Sequence, residues 1–227
     1  MLKRPAPRGS KYKKKIDPKT FYVSYEGSDD EKQYFEEVAN RVDRRFVHNL
    51  KFISVEKSST DAEPVHVLKD LENRLKDDSV NCKKNANNVA FIVIDTDHHF
   101  QDTHARDTAN VLQQCKQKGI QVVLTNPCFE LWLMCHLEDV SLKSESFKKK
   151  LFDNAKVSKH KTFAKREWGK MKGSTPISQL VDRLKVALIN EQKINSQCSS
   201  LKSMPPSGLY SDVGDIFKQI ADCGIDL

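Results

Sequence analysis

Hydrophobic and polar positions change period repeatedly through the first half of the chain. Phe21-Tyr22-Val23-Ser24-Tyr25 is a β-rich run that ends at Glu26-Gly27. Ser28-Asp29-Asp30-Glu31 then supplies N-cap chemistry, after which Tyr34, Val38, Val42 and Phe46 recur every fourth residue with Phe35 beside them. Leu50 to Val55 reads as a second strand, and 63–75 as a second helix with Val65, Leu68, Leu71 and Leu75 on its apolar stripe. Val89 to Ile94 is a continuous apolar run, the signature of a parallel strand covered on both faces. A helix near 103–118, carrying Ala105, Ala109, Val111 and Leu112, stops at Gly119, and Ile120 to Leu124 forms a fourth strand. This order predicts an α/β protein with an open, mostly parallel four-stranded sheet flanked by helices and joined by right-handed crossovers.

Beyond Asn126 the pattern predicts no further strand. Pro127 opens a helix through 128–138, and 144–153, 160–172, 176–194 and 212–222 read as helices, with 195–211 as a polar loop. The expected organisation is a flexible basic arm (1–19), an α/β domain (20–140) and a helical, basic C-terminal extension (141–227).

Charge sharpens this division. The 38 Lys and Arg exceed the 31 Asp and Glu by seven, and the first fifteen residues alone hold seven bases and no acid. The apolar stretch Phe129 to Leu137 is broken by Glu130 and His136 and falls far short of the ~20 residues a membrane span needs. No hydrophobic core follows the N-terminal charges, so a cytoplasmic protein without a membrane partner is expected. The six cysteines, at 82, 115, 128, 135, 198 and 223, include no Cys-x-x-Cys pair, which points to reduced structural thiols. Without paired cysteines, His98, His99 and His104 make only a weak case for a zinc site, and a structural or solvent-facing role is the favoured reading.

Candidate chemistry lies where an open parallel sheet gathers ligands, at the carboxyl ends of its strands. Glu26 ends the first strand, and Asp95 and Asp97 end the third. On an extended chain positions i and i+2 face one side, so the two aspartates are expected to converge on one cation. Hard oxygen ligands suit Mg²⁺ or Mn²⁺ and hence phosphoryl transfer or phosphodiester hydrolysis, with Glu26 completing the metal site or handling a proton. Glu130 opens an otherwise apolar helix and has two readings: interaction with the helix N-terminus or a buried ion pair, or a further ligand or orienting carboxylate. Asn126 has two readings, a helix cap or a phosphate contact, of which capping is favoured.

These residues carry a resemblance. Glu26-Gly27 with Glu31-x-x-Tyr34-Phe35, the strand into Asp95-x-Asp97, and above all Asn126-Pro127-Cys128-Phe129-Glu130-Leu131-Trp132-Leu133 resemble the RloB-like family over about 20–194, as does Ser174-Thr175-Pro176 with Leu180-Val181. The resemblance implies a link to restriction and phage defence, a Toprim-like fold, and an acidic site. Glu26 would match the Toprim glutamate that serves as general acid or base, and Asp95 and Asp97 the aspartates that bind Mg²⁺. Glu130 matches the family's own motif without an assigned role. The chain departs from the family's frequent Glu-Gly-Glu-x-Thr-Glu, having Ser28-Asp29-Asp30-Glu31 after Gly27.

Residues 147–172 hold ten bases against Asp153 and Glu167, with Phe152, Phe163 and Trp168 interleaved. Lys148, Lys149, Lys150, Lys159, Lys161, Lys165, Arg166 and Lys170 are the candidate contacts to DNA or RNA, whereas aromatics at helical spacing are expected to pack inward. The leading expectation is a metal-dependent nuclease of a bacterial defence system, partnered by nucleic acid and a further defence protein, with self-association open. The rivals are a non-catalytic nucleic-acid-binding or toxin-partner module, and a phosphohydrolase or nucleotidyl transferase acting on small nucleotides. No phosphate-binding lysine loop or Gly-x-Gly-x-x-Gly fingerprint supports a nucleotide cofactor.

Overall fold

The parallel strands pair in the order β2-β1-β3-β4: β1 (Lys19–Tyr25), β2 (Leu50–Ser54), β3 (Asn88–Asp95) and β4 (Gln121–Asn126). The computed structural model describes residues 18–46, 49–59, 63–97, 99–100, 104–159, 161–198 and 204–225; most of the basic arm and His98 lie outside them. Helices α1 (Asp30–Phe46), α2 (Pro64–Asp77) and α3 (His104–Lys118) supply the crossovers.

Strand alternation sorts side chains to two faces. Phe21, Val23 and Tyr25 of β1, Phe91 and Val93 of β3, and Val123 of β4 pack with Tyr34, Phe35, Val38 and Val42 of α1. Tyr22, Ala90, Ile92, Ile94 and Leu124 pack on the opposite face with α2 and α3. Two helical stripes are rotated from the expected ones. Val67, not the 44% exposed Val65, joins Leu68 and Leu71 in α2, and α3 buries Thr108, Val111 and Cys115 while Ala109 is exposed. Small apolar side chains such as Ala are weak markers of a buried face, and a cysteine serves equally well inside.

The second half adds α4 (Glu130–Cys135), α5 (Glu145–Asp153), a hairpin of β5 (Lys156–Ser158) and β6 (Lys161–Thr162), α6 (Phe163–Lys172), α7 (Leu184–Gln197), β7 (Tyr210–Ser211) and α8 (Gly214–Ala221). Residues from α4 through α8 share one apolar core with α1 and the sheet, centred on the fully buried Trp132. The sheet therefore has five strands, with β7 antiparallel on β4, and the expectation of no strand after Asn126 is corrected. Both departures have a physical reason. The hairpin strand Lys156–Ser158 is exposed at every position and shows no alternation, and β7 is held by polar partners. Asn195 bonds both the amide and the carbonyl of Ser211, and Glu191 Oε1 accepts from the Ser211 hydroxyl (2.8 Å) and the Gly214 amide (2.9 Å). None of the helices among the described residues is long and apolar enough to cross a membrane.

Burial pushes the Glu191 carboxyl up to about 7, against the Gly214 amide and Ser211 hydroxyl that favour its charged form. A carboxyl raised in the folded state contributes stability that is full below its ordinary value and is lost as pH rises through about 7. Glu191→Gln keeps the Oε1 acceptor and removes the titration. Its melting temperature is expected to exceed that of the parent at pH 8, with the gap closing by pH 5; a gap that does not change with pH would contradict this account.

Candidate functional site

Parallel pairing of β1 with β3 brings their carboxyl ends together. The Asp95 amide donates to Glu26 Oε1 at 3.3 Å, and His99 Nε2 lies 2.9 Å from Glu26 Oε2. Asp95 Oδ1 accepts from the hydroxyl of Thr125, its register partner on β4. From the first turn of α1, Glu31 turns back so that its Oε2 accepts the Gly27 amide at 2.5 Å; a Cβ at Gly27 would stand 2.3 Å from that oxygen, so the close approach requires glycine. Glu26, Glu31, Asp95 and Glu130 face one cleft of ≈ 510 Å³, whose walls also include Lys57 from the segment after β2 and Lys165, Trp168 and Lys172 from α6.

The acids outnumber the nearby cations, and their protonation reflects it. Burial raises the Glu26 carboxyl well above the ordinary range, with the charges of Glu31 and Asp97 adding and the Asp95 amide and Lys57 opposing. Asp95 is raised for the same first reason, then by Glu26, Glu31 and Glu130. Burial likewise pushes Glu31 up to about 8, against the Gly27 amide, with Glu130 adding and Lys57 and Lys165 opposing. Burial lowers His99, with the charges of Asp97 and Glu63 opposing, so burial disfavours the charged form of both His99 and Glu26.

Asp97 has a different place from the one that strand alternation implies. The strand ends at Asp95, the Asp97 amide donates to Pro127 O, and the Asp97 carboxylate accepts from Asn154 Nδ2 at 2.9 Å. Asn154 is buried and left-handed (φ 38°) where α5 ends, and its Oδ1 accepts the Ala164 amide of α6. Asn126 is not a cap: its Oδ1 accepts from Thr96 Oγ1 and its Nδ2 donates to the carbonyls of Pro206 and Gly208.

The candidate basic contacts disperse. Lys165 lines the acidic cleft, while Arg166 and Lys170 pair with Glu167. Lys148 and Lys149 pair with Glu145 and Asp153 beside a second cavity, and Lys150, Lys159 and Lys161 are exposed. Phe163 and Trp168 are buried, as their spacing predicts, and Phe152 is 39% exposed. His99, assigned no chemistry from sequence, meets Glu26, while His104 is exposed. All six cysteines are free thiols. Sequence reasoning gave no site role to Lys57, Lys172 or Asn154, and read Glu31 as helix-capping chemistry. Only Glu31 left a signal, an acid five residues after Glu26 at a helix start.

The donor set suits a hard divalent cation: its ligand atoms are carboxylate oxygens, and a cation there would offset the excess negative charge. As they stand, no three Asp, Glu, His or Cys side chains among the described residues form a ligand cluster, so a cation would have to draw its shell together.

A family model described as RloB-like protein matches residues 21–220. No curated protein and no solved structure matches the chain.

Asn154→Ala removes the acceptor of a buried amide and the donor to Asp97. It is expected to cost about 1–3 kcal/mol in urea denaturation. A loss under about 0.5 kcal/mol, the range of surface substitutions, would deny Asn154 its bridging role.

Proposed function

The chain belongs to the RloB-like family, and from that premise we propose that it is a Toprim-like, Mg²⁺- or Mn²⁺-dependent nuclease that hydrolyses phosphodiester bonds of DNA or RNA in bacterial defence. The observation that carries the reading is the gathering of Glu26, Glu31, Asp95 and Glu130 in one cleft walled by Lys57, Lys165 and Lys172. Asp95 and Glu26 would hold the cation, with Asp97 kept beside them by Asn154. The bound metal would supply an activated water and offset charge on the reacting phosphate.

The chain's own groups do the rest. Lys57 and Lys165 draw a phosphate backbone toward a floor that would otherwise repel it. His99 meets Oε2 of Glu26 and the Asp95 amide donates to Oε1, so together they fix the orientation of the carboxyl. Glu130, in the first turn of α4, adds its charge to the acidic floor that the cation would offset.

A second reading, a nucleic-acid-binding module without turnover, is favoured by the open ligand shell and by the engagement of Asp97 with Asn154. Incubation with labelled DNA and RNA separates the two. The nuclease reading expects cleavage with Mg²⁺ or Mn²⁺, none with EDTA, and a loss of about 100-fold or more in Asp95→Asn. Salt-sensitive binding with no cleavage in any metal would support the module instead, and consumption of mononucleotides alone would point to small-nucleotide chemistry.

A further inference from the structure

The wall of the cleft formed by α6 has a composition that the acidic floor does not explain. Lys165, Trp168, Gly169 and Lys172 line it at i, i+3, i+4 and i+7, and Gly173 follows the helix. They form a single stripe along the helix. Lys165 and Lys172 stand seven residues apart, a rise of about 10 Å, which exceeds one phosphate-to-phosphate step. Between them Gly169 leaves bare backbone, where an added Cβ would meet nothing within 4 Å. Glycine within a helix costs stability of about 1 kcal/mol relative to alanine, so the gap is maintained against local propensity. Across the cleft stands Lys57, whose Nζ donates to the Glu26 carbonyl.

We infer that this wall is a track for single-stranded nucleic acid: Lys165 and Lys172 take two phosphates of one strand that lie more than one step apart, the Gly169 gap admits the sugar-phosphate chain between them, and Lys57 holds it from the other bank. The inference rests on the nucleic-acid substrate proposed above and narrows it to single strands. A cleft of ≈ 510 Å³ is the size of a small-molecule site, with room for a nucleotide or two, and the carboxylates Glu26 and Glu31 lie buried at its floor. A stiff duplex cannot bring one phosphate down between the two walls, whereas a flexible strand can. Trp168 is buried, its Nε1 donating to Asp30, and Lys172 pairs with the same carboxylate. The buried indole offers no stacking platform, so contact runs through the backbone and tolerates any sequence.

The test measures anisotropy of a labelled oligo-dT strand, and of its duplex with oligo-dA, on the full chain in EDTA, where cleavage plays no part. The strand is expected to bind more tightly than the duplex. Gly169→Leu fills open space and favours the helix, so it should melt no lower than the parent yet bind the strand about 10-fold more weakly or worse. Lys165→Ala should flatten the salt dependence of log affinity by about 0.7, the share of one phosphate contact on a single strand, while Lys116→Ala, on α3 across the sheet, leaves it unchanged. Equal binding by Gly169→Leu and parent, or a duplex bound as tightly as the strand, would overturn the inference. Strand binding as expected without metal-dependent cleavage would leave it standing and remove only the nuclease reading.

Discussion

Four carboxylates share the carboxyl end of two adjacent parallel strands, and much of the site's surroundings answers that concentration of like charge. Glu26 and Glu31 are each only 6% exposed, a placement that is costly for ionised groups without partners. The structure answers in three ways. Burial raises the Glu26, Glu31 and Asp95 carboxyls, which favours their protonated forms. Donors are aimed inward from the Gly27 and Asp95 amides and the Thr125 hydroxyl, and the His99 ring meets Glu26 Oε2. Lysines from two separate elements stand at the walls. A divalent cation would replace the first of these, and a site arranged only for stability would be better filled with apolar side chains.

The second half of the chain is tied into this arrangement. Asn154 joins Asp97 to the start of α6, so the helix that bears Lys165 and Lys172 is fixed relative to the acidic motif. Trp168 and Lys172 reach across to Asp30 at the start of α1 and close the other end of the cleft. The basic composition of 147–172 thus resolves into unlike parts: a few lysines facing the acids, several neutralised by local pairs, and an exposed hairpin.

Much of this was legible because burial enforces pattern. The four parallel strands, the α1 stripe and the position of Glu26 and Asp95 at strand ends follow from alternation and apolar runs, since the central strands β1 and β3 are covered on both faces. Asp97 lies past the end of the strand, where the i, i+2 rule no longer sets its direction, and it is held by Asn154, which alternation gives no sign of. Asn154 and β7 were invisible for a related reason: both are held by hydrogen bonds between residues far apart in sequence, which leave no period. Glu31 was within reach, since an acid in a helix's first turn suits the dipole, but its backward turn onto Gly27 depends on a glycine whose need is steric.

The central claim is that these carboxylates exist to hold a divalent cation. Crystals soaked in Mn²⁺ and measured at a wavelength where manganese scatters anomalously test it directly. The account predicts a peak in the cleft within coordinating distance of Asp95 and at least one of Glu26, Glu31 and Glu130, lost in Asp95→Asn. Carboxylates that remain apart with no peak between them, or a peak elsewhere on the molecule, would contradict it.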